Sequence, residues 1–425
     1  MANRRYTSDE FEKIINDDCI EKEFKDIKNR PESIKKYAGD EYILGEIWGK
    51  QHNIMTLVGN GFDVQVLKHM NSKINTSYHD FYNFLVWQKF DKNNILFHQM
   101  KNQKRKYEAS PVSNRNLKNW SDFESGIINI MNDYKNIDYS KIEESLEGLQ
   151  VQFSIFLNEI VTPEINGRLG KHTRDKKLAE ITIQKFLGDL DNDDISRCKF
   201  GIKTSYYDLY NWKVFNFNYT SLLDNYIYLD RDQFDPHPFG RSDRNFAFYP
   251  NPRSVPDIKP SIYNKFTNWS SYVVLDIIHP HGYQNIPKSM LFGVDNISQL
   301  PYRKDKKLNS FVKPYWAQND LKYAHLFEDT DLYIIFGMSL GVTDQWWWRK
   351  IVDSLETSDS ELILYNYCRS ASEVLQETVK EQFMKASGWA GEDAKKSRIM
   401  DKIYVVNFDN STPRFAFSMN PYSEA

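Results

Sequence analysis

Apolar residues follow two rhythms along this chain. Short, near-continuous runs alternate with stretches in which apolar positions recur every three or four residues. The first rhythm suits strands buried on both faces, and the second suits helices packed over them. The run Ile54, Met55, Leu57, Val58 is the first such strand, and it stops at Gly59-Asn60-Gly61-Phe62-Asp63. Two glycines there permit positive φ and close approach of a ligand to the main chain. The amides beyond Gly61 open a helix whose N-terminus favours an anion.

Further strands are expected at residues 214–217, 272–278, 290–293, 332–336, 361–365 and 403–408, with helices near 62–70, 220–228, 343–355 and 371–384. Thr76 or Ser77 can cap a helix that carries Phe81, Phe84 and Leu85. Residues 91–119 are polar and read as loop. Ser121 with Glu124, and Ser140 with Glu143, have the spacing of capping boxes. From Ile142 the apolar positions Leu146, Leu149, Phe153, Phe156, Leu157 and Ile160 trace a long amphipathic helix, so residues 120–195 read as a helical insertion. A loop-rich insertion with Pro236, Pro238 and Pro252 follows at about 231–270. Residues 1–50 form a charged, helical N-terminal extension, and 51–425 the main domain. Strand–helix alternation of this kind implies an α/β, Rossmann-like, doubly wound, mostly parallel sheet. Ligands of such sheets sit at the carboxyl ends of the strands.

Composition changes this picture little. Hydrophobic residues make up 40% of the 425 positions, enough for a large core. Fifty-five basic and 58 acidic residues leave a net charge of −3, which gives no field for gripping a polyanion, so nucleic acid is not the expected partner. The basic run Lys101–Lys106 reads as a solvated surface. Cys19, Cys198 and Cys368 are isolated, with neither disulfide nor zinc spacing. No apolar run approaches the length of a membrane span, and the first residues lack the apolar centre of a signal peptide, so a cytoplasmic protein with no membrane partner is expected.

Polar residues gather at the predicted strand ends: Asn60 and Asp63, Asn216 and Asn218, His279 and His281, then Ser339. Each alone has an ordinary structural reading, as a loop brace or a bonded histidine. Their shared position is what points to a site. The ordered motifs GNGFD, TSYHDF (76–81), WSDFE (120–124), FNFNYTSLLDNY (215–226), HPHG (279–282), LFGVD (291–295) and FGMSLGVTDQWWW (336–348) resemble the AbiH-like family of phage abortive-infection proteins. That resemblance implies a role in antiphage defence, with a phage-derived trigger or a defence partner protein; a homo-oligomer is also expected.

The order of the motifs is also similar, more distantly, to the sirtuin-like NAD-binding fold. Carried over, this implies Gly59 and Gly61 at a pyrophosphate, with Asn60, Phe62 and Asp63 beside them. It implies Asn218 at the nicotinamide ribose, His281 as base or ribose contact, and Gly337 and Ser339 near a ribose or phosphate. Asn60, Asp63 and Thr220 depart from the sirtuin pattern, and the paired zinc cysteines are missing. The resemblance implies NAD as the ligand or substrate, cleaved between nicotinamide and ribose by Asn218 and His281 with no metal, and the missing zinc cysteines argue against a protein deacetylase. The alternatives are a noncatalytic nucleotide sensor and, ranked lower, a nuclease built on Asp63, Asp122, Glu124 and Asp295. A Ser339–His281–Asp295 triad lacks the strand-borne nucleophile elbow.

Overall fold

The computed structural model describes residues 50–110, 121, 123–133, 138–205, 208–228, 246–252, 268–301 and 306–421. The N-terminal extension, most of the loop-rich insertion, Trp120 and Asp122 lie outside these residues. The frame is a seven-stranded sheet in the order β3-β4-β2-β1-β5-β6-β7. Its strands are β1 (Gln51–Val58), β2 (Leu209–Asn216), β3 (Phe246–Phe248), β4 (Trp269–Ile278), β5 (Leu332–Phe336), β6 (Glu361–Tyr367) and β7 (Ile403–Phe408). All pairings are parallel except that of the short edge strand β3 with β4. Without β3, the sequence runs outward from β1 to β2 and β4, then returns to β5 on the other side and continues to β6 and β7. This is the doubly wound Rossmann order, with its reversal between β1 and β5.

Helices α1 (Gly61–His69), α2 (Tyr78–Trp87), α3 (Ile95–Ala109), α4 (Phe123–Asp133), α5 (Tyr139–Ile160), α6 (Pro163–Asp175), α7 (Leu178–Lys185), α8 (Asn192–Arg197) and α9 (Lys199–Lys203) stand between β1 and β2. Of these, α4 to α8 lie within residues 123–197. Residues 95–109 are helical rather than loop, because Asn94 caps the Phe97 amide (3.0 Å) and Leu96, Phe97 and Met100 are buried. The basic run is the outer part of this helix, with Lys101 Nζ 4.0 Å from the Phe97 ring centre. Ser77 caps α2 through the Asp80 amide, and α5 is capped by Asp138 rather than Ser140. On α5 the buried positions Ile142, Leu146, Leu149, Phe153, Phe156, Leu157 and Ile160 keep the expected stripe.

After the sheet's midpoint come α10 (Leu222–Ile227), α11 (Lys313–Ala317), α12 (Asn319–Lys322), α13 (Gln345–Thr357), α14 (Gln376–Ser387) and α15 (Asp393–Met400). The strand expected at 290–293 is absent: Met290, Phe292 and Val294 are buried, but among the described residues the segment's β-type pairing is a single isolated bridge, Val294 to Val312. An apolar run can fill a core without joining a sheet, and periodicity does not distinguish the two. Trp347 and Trp348 are buried in the layer behind β1 and β5, while Trp346 donates Nε1–H to Asp320 Oδ1 at 3.1 Å. Among the described residues, no helix is long and apolar enough to cross a membrane.

Candidate functional site

The loop after β1 is a backbone lock. Gly59 and Gly61 do not have positive φ; the positive value belongs to Gly337, at +66°. The two loops at the β1–β5 reversal pack main chain against main chain: Gly59 N donates to Phe336 O (2.9 Å), Gly61 N to Gly337 O (2.8 Å) and Phe62 N to Gly59 O (3.0 Å). A Cβ on Gly61 would stand 2.7 Å from Gly337 Cα, and one on Gly59 would stand 2.9 Å from Gly337 O. The glycines are therefore required by the neighbouring loop. Two amides of the turn that a phosphate would use are already bonded within the protein. Phe62 turns its ring away from the strand ends into the core, edge-on to Tyr226, Phe336 and Phe417.

Above this lock lies a cavity of about 460 Å³. Gly59, Asn60, Gly61, Asp63, Asn218, His281, Gly337 and Ser339 all line it; of the residues that the sirtuin-like pattern implies at the ligand, Phe62 stays outside. The strands that deliver them are β1, β2, β4 and β5, at their carboxyl ends. Asn60 is tied to Thr76, whose hydroxyl donates to Asn60 Oδ1. Asn218 donates Nδ2–H to Gly59 O at 3.2 Å, and its own amide donates to Asn216 Oδ1 at 3.0 Å. It braces the turn as well as facing the cavity.

Asp63 is buried within the first turn of α1. Thr220 Oγ1–H donates to its Oδ2 at 2.6 Å, whereas Oδ1 is buried without a partner. Burial raises its pKa to about 7, against the lowering effect of the Thr220 hydrogen bond. His281 is pushed the other way, to about 3, by burial first and then by the Lys313 ammonium, with Asp344 opposing. It is a neutral imidazole at physiological pH. Its ring stands edge-on to Phe217 at 4.9 Å, and its Nε2 is 3.7 Å from Asp344 Oδ1.

His279, two residues earlier, leaves the cavity: its Nε2 meets Asp224 Oδ1 at 2.9 Å and its Nδ1 meets Asn218 O at 3.2 Å. Asn216 is likewise a brace, donating to Asp224 Oδ2. The Ser339–His281–Asp295 arrangement does not form, because Asp295 accepts from the Trp346 amide and the carboxylate beside His281 is Asp344. Among the described residues, no three His, Cys, Asp or Glu side chains are disposed to hold a metal.

Sequence reasoning missed the charged wall. Lys313 Nζ lies 3.2 Å from Asp344 Oδ1 and 3.6 Å from Glu124 Oε2, and all three line the cavity. Burial acts to lower the Lys313 pKa, but Asp344, Glu124 and Asp295 outweigh it and drive the value up, so the ammonium persists. Glu124 has the spacing of a capping-box carboxylate in the sequence, but in the fold it pairs with this lysine. Asp344 ends the same G-M-S-L-G-V-T-D stretch that carries Ser339, a signal that could have been followed. Lys313 has no motif around it.

This arrangement defines an α/β protein with a cavity lined by polar and charged residues at the switch point of a Rossmann-ordered sheet. The family model described as "Bacteriophage abortive infection AbiH" matches residues 55–367, and the chain belongs to that family. No curated protein matches the chain.

Proposed function

We propose that this AbiH-family protein acts in abortive phage defence by binding NAD in the switch-point cavity and hydrolysing its nicotinamide–ribose bond. The convergence of Asn218, His281 and the glycine turn on one cavity carries this reading. They come from three strand ends far apart in sequence, and tight turns alone do not demand that they meet. Neutral His281 suits the reaction, because the leaving group is already cationic and asks for no strong acid. The same residues fit NAD better at its ribose than at its phosphates, since the turn's amides are bonded internally and the cavity's Lys313 is paired with carboxylates. No metal takes part, so turnover should survive chelation.

The test is incubation of purified protein with NAD, ATP and DNA in parallel, with and without EDTA, and analysis of products. Nicotinamide and ADP-ribose from NAD alone, undiminished by EDTA, are expected. NAD binding without product, even with phage lysate present, would instead make the protein a nucleotide sensor. EDTA-sensitive cleavage of DNA would make it a nuclease.

A further inference from the structure

We infer that Asp344 is the carboxylate that takes the proton from the attacking water, an assignment that rests on the N-glycosidic reading above. Asp344 Oδ1 faces His281 Nε2 at 3.7 Å and Lys313 Nζ at 3.2 Å, and it borders the cavity beside Ser339 and Thr343. Lys313 is only 4% exposed, with Glu124 Oε2 at 3.6 Å on its other side. One ammonium set between the two carboxylates of Glu124 and Asp344 leaves this wall acidic. A wall of that sign repels a pyrophosphate and attracts the opposite end of the dinucleotide, where the pyridinium and the developing ribosyl cation carry positive charge. The buried and unpartnered Oδ1 of Asp63, which also lines the cavity, is an acceptor that a ligand hydroxyl can satisfy.

In the reaction, the bond between C1′ and the ring nitrogen breaks, its electron pair leaving on nitrogen, so the cationic nicotinamide departs neutral. The water oxygen forms the new C1′–O bond. Its surplus proton passes to Asp344 and from there to solvent. His281 holds the water or the ribose without competing for that proton. Lys313 and Glu124 are positioning residues that fix the Asp344 carboxylate at the cavity wall.

Nicotinamide release from NAD by the full chain tests this assignment. Asp344→Asn should lower kcat by about 10²–10⁴-fold with little change in KM, and Glu124→Gln should lower it less. Sodium azide, a nucleophile with no proton to lose, should restore turnover of Asp344→Asn and yield the ribosyl azide. Should Asp344→Asn fail to fold, Asp344→Ser goes through the same azide test, since its smaller side chain leaves room for the nucleophile. Wild-type turnover in the folded variant, or a loss that azide does not mend, overturns the role of Asp344 while NAD hydrolysis by the wild type stands. No nicotinamide release from the wild type removes the N-glycosidic reading and this assignment together.

Discussion

The two sides of the cavity are built on opposite principles. The β1 side is main chain locked on main chain, with Gly59 and Gly61 pressed against Gly337 and a network of neutral hydrogen bonds through Asn218 and Asn216. The far side is side-chain charge, with Lys313 held between Asp344 and Glu124 beside the neutral ring of His281. A backbone lock tolerates no added atom but carries no chemistry of its own. A buried ion cluster can be replaced in shape, yet it depends on every member for charge balance. The first side positions the strand ends, and the second sets the charge of the cavity wall.

The largest expected effect breaks the charged side. Lys313→Met leaves Glu124 and Asp344 uncompensated in the interior and should cost about 3–5 kcal/mol of stability, measured by denaturant unfolding. Lys313→Arg should recover much of that loss; equal destabilisation by both would show that shape rather than charge matters there. Next comes the lock. Gly61→Val places a branched side chain where the Gly337 main chain already lies, and should lower stability by about 3 kcal/mol, the upper end of ordinary overpacking. Gly61→Val with unchanged thermal unfolding would mean that the two loops separate easily.

The two polar strand-end residues should then part company. His281→Ala should reduce NAD cleavage by about 10²-fold through lost positioning, at nearly unchanged melting temperature, because its ring makes few structural hydrogen bonds. Asn218→Ala should reduce cleavage and also cost about 1 kcal/mol of stability, since it releases Gly59 O. Equal melting temperatures for both variants would remove the bracing role of Asn218.

The buried titratable groups of the two sides should give pH slopes of opposite sign. His281 is depressed from its ordinary 6.5 to about 3, so the unfolded chain takes up its proton first and stability falls as pH drops from about 6.5 towards 3. Asp63 is raised from 3.8 to about 7, so the unfolded chain ionises first and stability falls as pH rises from about 3.8 to 7. His281→Gln should flatten the first slope and Asp63→Asn the second, as read from urea midpoints across pH 3–8. A variant that flattened neither would mean that its group titrates alike in the folded and unfolded chains.

Much of the fold was legible because local rules and the global answer agree. Ile54 to Val58, Leu332 to Phe336 and Ile403 to Phe408 are apolar on both faces, which only a covered parallel sheet satisfies, and the α5 stripe admits only one buried face. Where the signal was polar or mixed, it failed. Helix α3 hid within a charged stretch because three buried side chains suffice to seat it. The apolar run at Met290 resembled a strand because burial, not pairing, is what its composition encodes.

For the site, sequence determined which residues end the strands, and the Rossmann order then carried Asn60, Asp63, Asn218, His281 and Ser339 to one rim. Sequence also showed that Gly59 and Gly61 were special, but the reason lies in Gly337, some 276 residues further along the chain. Only the tertiary structure could decide that, because a backbone clash depends on the partner loop and leaves no trace at the glycine itself. The same holds for Lys313, Glu124 and Asp344. A buried charge is legible only through its counter-charges, and here they come from three separate segments that meet only once the chain has folded.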